Sequence, residues 1–252
     1  MHRIKTVFHV HTDHSDDGNR SVGQLLEIAR DRGIGCLTIT DHDTISGARE
    51  MAAHAGSDLN VIIGEEISTT AGHLIGLFLR EEIEPGMSPR DTALAIRQQG
   101  GLVVIPHPYN WMFGCGLCGR VEDVVDLTDA VEVCNAQNFW SVPNLRAEGL
   151  AERYNLPRVV GTDFHHGDNL DACYQMIEPF NGPAEFLASV RRAHLARGRQ
   201  DLAYFFRTAW YVFLDRSGIG LPDAFGASSN ARRPRWELMR NVRAEAAEDH
   251  RR

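Results

Sequence analysis

The feature that most constrains this chain is a recurrence. Short apolar, β-rich runs follow one another, and most lead within a few residues to histidines or carboxylates. The runs are "IKTVFHV" (4–10), "GCLTIT" (35–40), "NVIIG" (60–64), "HLIGLFL" (73–79), "LVVIP" (102–106), "AVEVC" (130–134), "RVVGT" (158–162) and "YQMIE" (174–178). Most are nearly continuous in apolar residues, as strands covered on both faces require. Helical patterns lie between them near 21–32, 44–56, 88–99, 142–154 and 184–197, the first opened by a capping-box pair, Ser21 and Gln24. Repeated strand–helix units predict a parallel sheet, and seven or eight of them predict a closed or nearly closed barrel. An open doubly wound sheet is the alternative that periodicity leaves standing.

In a barrel of parallel strands the C-terminal strand ends share one mouth, so residues distant in sequence converge there. After the first run come His9, His11 and Asp16; after the second, "TDHDT" with Asp41 and His42; after the third, Glu65 and Glu66. The fifth ends at His107, the sixth holds Glu132 and leads to Asn135, and the seventh ends in "TDFHH" with Asp163, His165 and His166. Only His73 departs from the rule, because it begins its run. A solvated polar loop accounts for any one of these motifs but not for their recurrence, and the residues read as metal ligands. His9 and His11 are separated by one residue, so a regular strand would point them to opposite faces; they converge only where the strand bends or meets the bore. Imidazole with carboxylate suits zinc, iron or manganese. About nine candidate ligands exceed the needs of one ion and imply two or three divalent ions, with a carboxylate bridging a pair. Such sites suit phosphoester hydrolysis, in which one ion holds a phosphate oxygen and a bridging hydroxide attacks in line.

The rest of the composition narrows the class. A chain of 252 residues with 43% apolar and 24% charged residues is ordinary for a globular protein. A net charge of -8 argues against a broad nucleic-acid-coating surface, although ions bound to carboxylates would neutralise part of it. The start "MHRIKTVFHV" has no signal-peptide core, and the longest apolar run, 203–214, is interrupted by Arg207 and falls well short of a membrane span. Five widely spaced cysteines fit a reducing compartment. These features together predict a soluble cytoplasmic protein without a membrane partner.

Six segments in order, "HVHTDHSDDG", "TDHDT", "GEEIS" followed by "HLIGLF", "IPHPYN", "EVCNA" and "GTDFHH", resemble the PHP (polymerase and histidinol phosphatase) phosphoesterases over roughly residues 5 to 180. The resemblance implies an α/β fold, a distorted seven-stranded (β/α) barrel with a metal cluster at the C-terminal mouth of the strands. It implies that His9 and His11 bind a first ion with Glu66 and Asp163, that Asp16, His42 and His165 bind a second, and that Glu66 bridges to a third completed by His73 and His107. Asp16 is taken over Asp17 from the family's spacing, seven residues after the first histidine, although "SDDG" carries one acid more than the family's usual "SDG". The pattern Gly-x-Glu selects Glu66 over Glu65. Glu66, Asp163 and His165 are the expected catalytic ligands, with Asp163 or a metal-free histidine as the proton donor to the leaving group. His14 and His166 fall outside the ligand pattern and read as polar loop residues.

Asp41 reads either as the holder of a histidine ring or as a turn acid, and Asp43 as a cap of the following helix. Glu132 reads as structural. Asn135, Arg20, Tyr109 and Arg120 are the expected substrate contacts, the last two in the aromatic and glycine-rich loop "YNWMFGCGLCGR", whose rings suit stacking on a base. Cys115 and Cys118 form a lone pair with no second pair nearby to complete a structural zinc site. Residues 1–200 are expected to form the barrel. Residues 201–252 are expected to form a helical extension packed on it, with a polar tail that opens on Arg232, Arg233 and Arg235. The reading is a metal-dependent phosphoesterase acting on a small phosphorylated substrate, a nucleotide or the 5′ end of a short oligonucleotide. The alternatives are a histidinol-phosphate-type phosphatase, a non-catalytic metal-binding domain and, less favoured by the motifs, a C–N hydrolase. Oligomeric state stays open.

Overall fold

A computed structural model of the chain describes residues 2–110, 116–117 and 120–217. Seven strands close into a barrel: β1 (Ile4–Val10), β2 (Cys36–Ile39), β3 (Asn60–Thr69), β4 (Gly72–Leu77), β5 (Leu102–Ile105), β6 (Ala130–Asn135) and β7 (Arg158–Phe164). They neighbour one another in chain order, and β1 closes the ring by pairing in parallel with both β2 and β7. Two further strands, β8 (Tyr174–Ile177) and β9 (His194–Ala196), extend the sheet from the start of β1, where β8 pairs antiparallel through Ile4, Lys5 and Thr6. The seam between β1 and β7 is therefore closed at the C-terminal half of β1 and opened by β8 at the other. This is the source of the barrel's distortion.

The sheet is mixed rather than all-parallel. β3 and β4 form a hairpin in which Thr69 pairs with Gly72 across the two-residue turn Thr70–Ala71, and β4 runs antiparallel to β5 as well. The Thr69 hydroxyl fixes the turn, donating to the Gly72 carbonyl at 2.6 Å and accepting from the Ala71 N–H at 3.1 Å. The hairpin also explains why His73 begins its run. In an antiparallel strand the start lies at the same end as the finish of its parallel neighbour, so His73 sits at the common mouth.

The helices lie outside. α1 (Val22–Asp31) carries the capping box, with Gln24 N–H donating to Ser21 Oγ and Ser21 N–H donating to Gln24 Oε1. It buries Val22, Leu25, Leu26 and Ala29 against β1 and β2, where they cluster with Val7, Val10, Leu37 and Ile39. α2 (Ser46–His54) follows, and α3 (Pro89–Gln98) starts with Ser88 as cap and Pro89 in its first turn. α4 (Ser141–Arg153), α5 (Gly182–Arg191) and α6 (Leu202–Ser217) complete the set. α5 stops at Arg191, short of the helix expected to 197, because residues 194–196 instead pair with β8. Asp43 does not cap α2; both its oxygens are taken by Ser68, from N–H at 2.7 Å and from Oγ at 2.8 Å.

The bore is filled by residues from all seven barrel strands, among them Phe8, Cys36, Ile62, Ile75, Val104, Ala130 and Val159, with Phe186 and Val190 of α5 packed against them. Apolar side chains pack the lower bore, and the histidines and carboxylates gather at its upper end.

Candidate metal centre

The upper end of the bore is built by backbone departures from regular strand geometry. His9, His107 and Asp163 all have positive φ, at 65°, 25° and 49°. Residues with side chains rarely adopt this region, and when they do at the rim of a barrel the usual consequence is a re-aimed side chain. The register between β1 and its neighbours slips at the same place, between Val7 and Val10 on one side and between Phe8 and Val10 on the other. This bulge at His9 lets His9 and His11 both face the bore, with ring centroids 5.2 Å apart.

Glu66 stands at the centre of the donors. Its Oε2 lies 3.2 Å from His9 Nε2, 3.4 Å from His11 Nε2 and 3.1 Å from His42 Nδ1. Its Oε1 lies 2.7 Å from His73 Nδ1 and 3.0 Å from His107 Nε2. The segment 41–43 supports it along the backbone, since Glu66 N–H donates to the Asp41 carbonyl and Asp43 N–H to the Glu66 carbonyl. Asp163 Oδ1 completes a group with His9 and His11, at 3.4 and 3.6 Å from their Nε2 atoms. On the outer side, Asp17 Oδ2 lies 3.3 Å from Nε2 of both His42 and His165, and His11 stacks on His165 with centroids 4.1 Å apart.

These donors fit divalent ions. Two ligand atoms bound to one ion at about 2.0–2.1 Å are held about 3.0–3.4 Å apart, which is the spacing that recurs here. Nε2 of His11 and Nδ1 of His42 face carboxylate oxygens without hydrogen-bond geometry, and Oδ1 of Asp17 is buried without a hydrogen-bond partner among the described residues, a costly arrangement unless something else binds them. Six imidazoles and three carboxylates make a nitrogen–oxygen set suited to zinc, iron or manganese. The electrostatics follow from this crowding. Burial alone would lower the His9 pKa, but Asp163, Glu66 and Glu132 raise it well above the ordinary value. His11 moves the other way, lowered by burial and by the neighbouring His165 and His42. Burial opposes ionisation of Glu66, yet His42, His73 and His9 hold its carboxyl well below the usual range, and the Asp163 carboxyl is depressed in the same manner by His9 and His11.

A further layer aims the ligands. Glu132 Oε1 is 3.0 Å from His9 Nδ1, and its Oε2 accepts from the His107 N–H at 2.7 Å. Asn135 donates from Nδ2 to Glu132 Oε2 and to Asp163 Oδ2, at 2.9 and 3.0 Å, while its Oδ1 accepts from Gln137 N–H. Gly161 is required behind this layer, because a Cβ there would fall 1.7 Å from Glu132 Oε1. His11 Nδ1 lies 3.1 Å from Ser15 Oγ, which in turn donates to Asp41 at 3.2 Å. Asp41 thus holds the loop after β1 and reaches His11 through Ser15. Gln137 Nε2 and the Asp163 carbonyl both lie 2.9 Å from His165 Nδ1.

Of the residues expected as ligands, His9, His11, His42, Glu66, His73, His107, Asp163 and His165 come together. Asp16 does not. It lies exposed at the tip of the loop, and Asp17 takes the inner place. The loop turns at Ser15, whose N–H reaches the Thr12 carbonyl, and is tied to β7 where Asn19 N–H reaches the His165 carbonyl. Gly18 passes so near the Thr12 carbonyl that a Cβ would lie 1.9 Å from it, which directs Asp17 inward. Glu65 points away from the bore, as the neighbour of an inward residue on a strand must, and accepts from Ile83 N–H; burial pushes its carboxyl up to about 8.

The expected substrate contacts are placed less favourably. Asn135 is buried with its polar atoms engaged inside the protein. Tyr109 packs against the core beneath the Arg146 guanidinium, 4.2 Å from its ring centroid. Arg120 is exposed and pairs with Asp123 at 2.5 Å. Arg20 binds the loop after β7, through the Gly167 carbonyl and Asp168. His14 pairs with Glu50, and His166 stacks on Tyr204 and meets Thr208. Trp111, Phe113, Cys115, Cys118 and the tail from 218 lie outside the described residues. Glu132, read from the sequence as structural, and Gln137, which drew no notice there, both meet donor rings; the one signal was their place on and just after β6, beside the common mouth.

A closed seven-stranded barrel with this donor set at its mouth has the build of a metal-dependent hydrolase. The PHP domain family model matches residues 8–156, and the chain belongs to that family. It is 38% identical over 154 residues to the uncharacterized protein MJ1587 of Methanocaldococcus jannaschii, a match covering 56% of this chain and 87% of that one. It is 31% identical over 149 residues to the 5′-3′ exoribonuclease Rnm of Escherichia coli strain K12, covering 46% of this chain and only half of that relative. Among solved structures, PsfC from Pseudomonas syringae PB-5123 has the same fold, with a TM-score of 0.61 at 17% identity over 84% of this chain and 98% of that one. No described helix is long and apolar enough to cross a membrane.

Proposed function

We propose that the chain hydrolyses the phosphate ester of a nucleotide or of the 5′ end of a short oligonucleotide. The observation that carries the reaction class is Glu66, whose two oxygens face two separate sets of imidazoles at one end of the barrel. Divalent ions bound there supply Lewis acidity toward phosphate oxygens and lower the pKa of water. The chain's own residues do the remainder. Glu66 holds the two inner donor sets together, Asp163 joins the first of them, and Asp17 with His42 and His165 forms the outer set nearest solvent. Glu132, Asn135 and Ser15 fix the orientation of the rings and of Asp163, so that little reorganisation remains when substrate enters. The likeness to an exoribonuclease supports a nucleotide or oligonucleotide over other phosphorylated molecules.

The test is product release from a panel of nucleoside mono- and bisphosphates, histidinol phosphate and short 5′-phosphorylated oligonucleotides, with protein loaded in turn with manganese, zinc or iron. Turnover that requires metal, favours the nucleotides and disappears in His11→Ala and Glu66→Ala is expected. Preference for histidinol phosphate would overturn the substrate class. Bound metal without turnover of any ester would overturn the enzymatic reading in favour of a metal-binding domain.

A further inference from the structure

Just past the donors, the chain leaving β6 turns outward into an exposed aromatic pair. Gln137 still touches His165, but Phe139 and Trp140 are 43% and 59% exposed. Their rings meet edge to face, 5.1 Å apart at 84°, and Phe139 rests edge-on against Phe205 of α6 at 5.4 Å. The backbone beneath them is held in place. Arg199 donates to the Phe139 carbonyl at 3.1 Å, Asn138 donates to Asn144 at 2.7 Å, and Trp140 is the residue from which α4 starts. Two large rings are therefore fixed from behind and open in front, an arrangement that marks a contact surface rather than a core.

The charges around the pair indicate what it contacts. The chain as a whole is acidic, at -8, yet residues 134–147 contain no acid and one base, Arg146. Arg199 underlies Phe139, and Arg207 reaches over the loop after β7, where a Cβ on Gly167 would meet its Nη2 at 3.3 Å. Exposed rings with a guanidinium group against the backbone beneath them suit successive bases of a polyanion. The distance suits it as well. Trp140 follows Gln137 by three positions, a path of at most about 11 Å, or about three stacked nucleotides.

We propose that Phe139 and Trp140 form a stacking platform for the bases of a single-stranded nucleic acid whose terminal phosphate lies in the metal mouth, with Arg199 and Arg207 flanking its backbone. This rests on the phosphoesterase reading and names the part of the substrate that the mouth itself does not hold. The platform binds bases by their faces, so it tolerates any sequence and requires an unpaired strand.

The experiment compares wild-type protein, the F139A/W140A double variant and W140F as full chains. Binding of a labelled 5′-phosphorylated pentanucleotide is measured by fluorescence anisotropy, alongside an abasic pentamer of equal charge. Hydrolysis of the pentanucleotide and of ribose 5-phosphate, a base-free ester, is measured in parallel. The double variant is expected to bind the pentanucleotide about 5- to 150-fold more weakly, with W140F near wild type and ribose 5-phosphate turnover unchanged. The abasic pentamer is expected to bind all three proteins equally weakly. Loss of binding in the double variant when the wild type hydrolyses neither ester would support the platform while removing the phosphoesterase reading. Equal affinity of wild type and double variant for the pentanucleotide, or equal affinity of wild type for the abasic pentamer, would overturn the proposal. So would a change of sedimenting mass in the double variant without any change in oligonucleotide binding, because the patch would then bury a second copy of the chain.

Discussion

Glu132 Oε1 lies 3.0 Å from Nδ1 of His9, and this pairing leaves the opposite ring nitrogen of His9 facing Glu66 and Asp163. The other Glu132 oxygen accepts from the His107 N–H and from Asn135, so one carboxylate orients a donor of each inner set. Glu132→Gln keeps the size but removes the charge, and it is expected to weaken metal binding about 10- to 100-fold. Titration calorimetry with manganese or zinc reads this directly. Unchanged affinity with unchanged fold by circular dichroism would show that packing alone orients His9.

Asp17 and Asp16 are adjacent in sequence but differ in placement. Asp17 faces His42 and His165, whose proximity holds its carboxyl well below the ordinary range although burial opposes this. Asp17→Asn is expected to lower metal stoichiometry by one ion or affinity by about tenfold or more. Asp16→Asn, on the exposed side of the turn, is expected to change stability by less than about 0.5 kcal/mol and leave stoichiometry intact. Elemental analysis after dialysis separates the two variants. The reverse pattern would return the outer ligand to Asp16.

The contrast between these two acids marks the limit of what the sequence carries. The barrel was legible because alternating apolar runs and helical faces have few ways to bury one another, and strand ends in a barrel must meet. The convergence of the donors was legible for the same reason, since histidines and carboxylates recur at those ends. The hairpin that brings His73 to the mouth was not, because a two-residue turn around Thr70 and Ala71 carries no strong turn residue between its strands. Nor was the choice of Asp17, which depends on a backbone approach between Gly18 and Thr12 that spacing does not reveal. Glu132 looked structural because its role depends on which ring nitrogen of His9 it meets, a fact of three-dimensional register. The aromatic pair at 139 and 140 drew no notice, because its meaning comes from exposure beside the mouth.

The crowded imidazoles and carboxylates predict a stability that depends on metal. Ions that bind only the folded chain stabilise it by mass action, by about 2.7 kcal/mol at a free concentration 100-fold above the dissociation constant. For a chain of this size that is a rise of about 5–10 °C in melting temperature. Chelation should abolish the rise, and His11→Ala should reduce it strongly, since His11 lies between Glu66, Asp163 and His165. Differential scanning calorimetry with and without a chelator reads both. A chelator-insensitive melting temperature in protein that carries metal by elemental analysis would place the bound ions elsewhere.

Far from the mouth, Asp171 joins the start of β1 to the end of α1. It accepts from Lys5 Nζ and from Arg32 Nη1, each at 2.5 Å, with its side chain only 14% exposed. Burial works against its charge, but the hydrogen bonds from Lys5 and Arg32 outweigh it and depress the carboxyl below its ordinary value. A depressed acid stabilises the fold above its unfolded pKa of about 3.9, and the contribution is lost as pH falls through the lower folded value. Asp171→Asn is therefore expected to cost about 1 kcal/mol between pH 5 and 8, or about 2–4 °C in melting temperature. The gap between variant and wild type should narrow below about pH 4 and close once the pH is below the depressed folded value. Melting curves over that range check the sign. A gap that stays constant with pH would mean that the aspartate contributes by shape alone, and one that widens toward acid would mean that its charge is unfavourable in the folded chain.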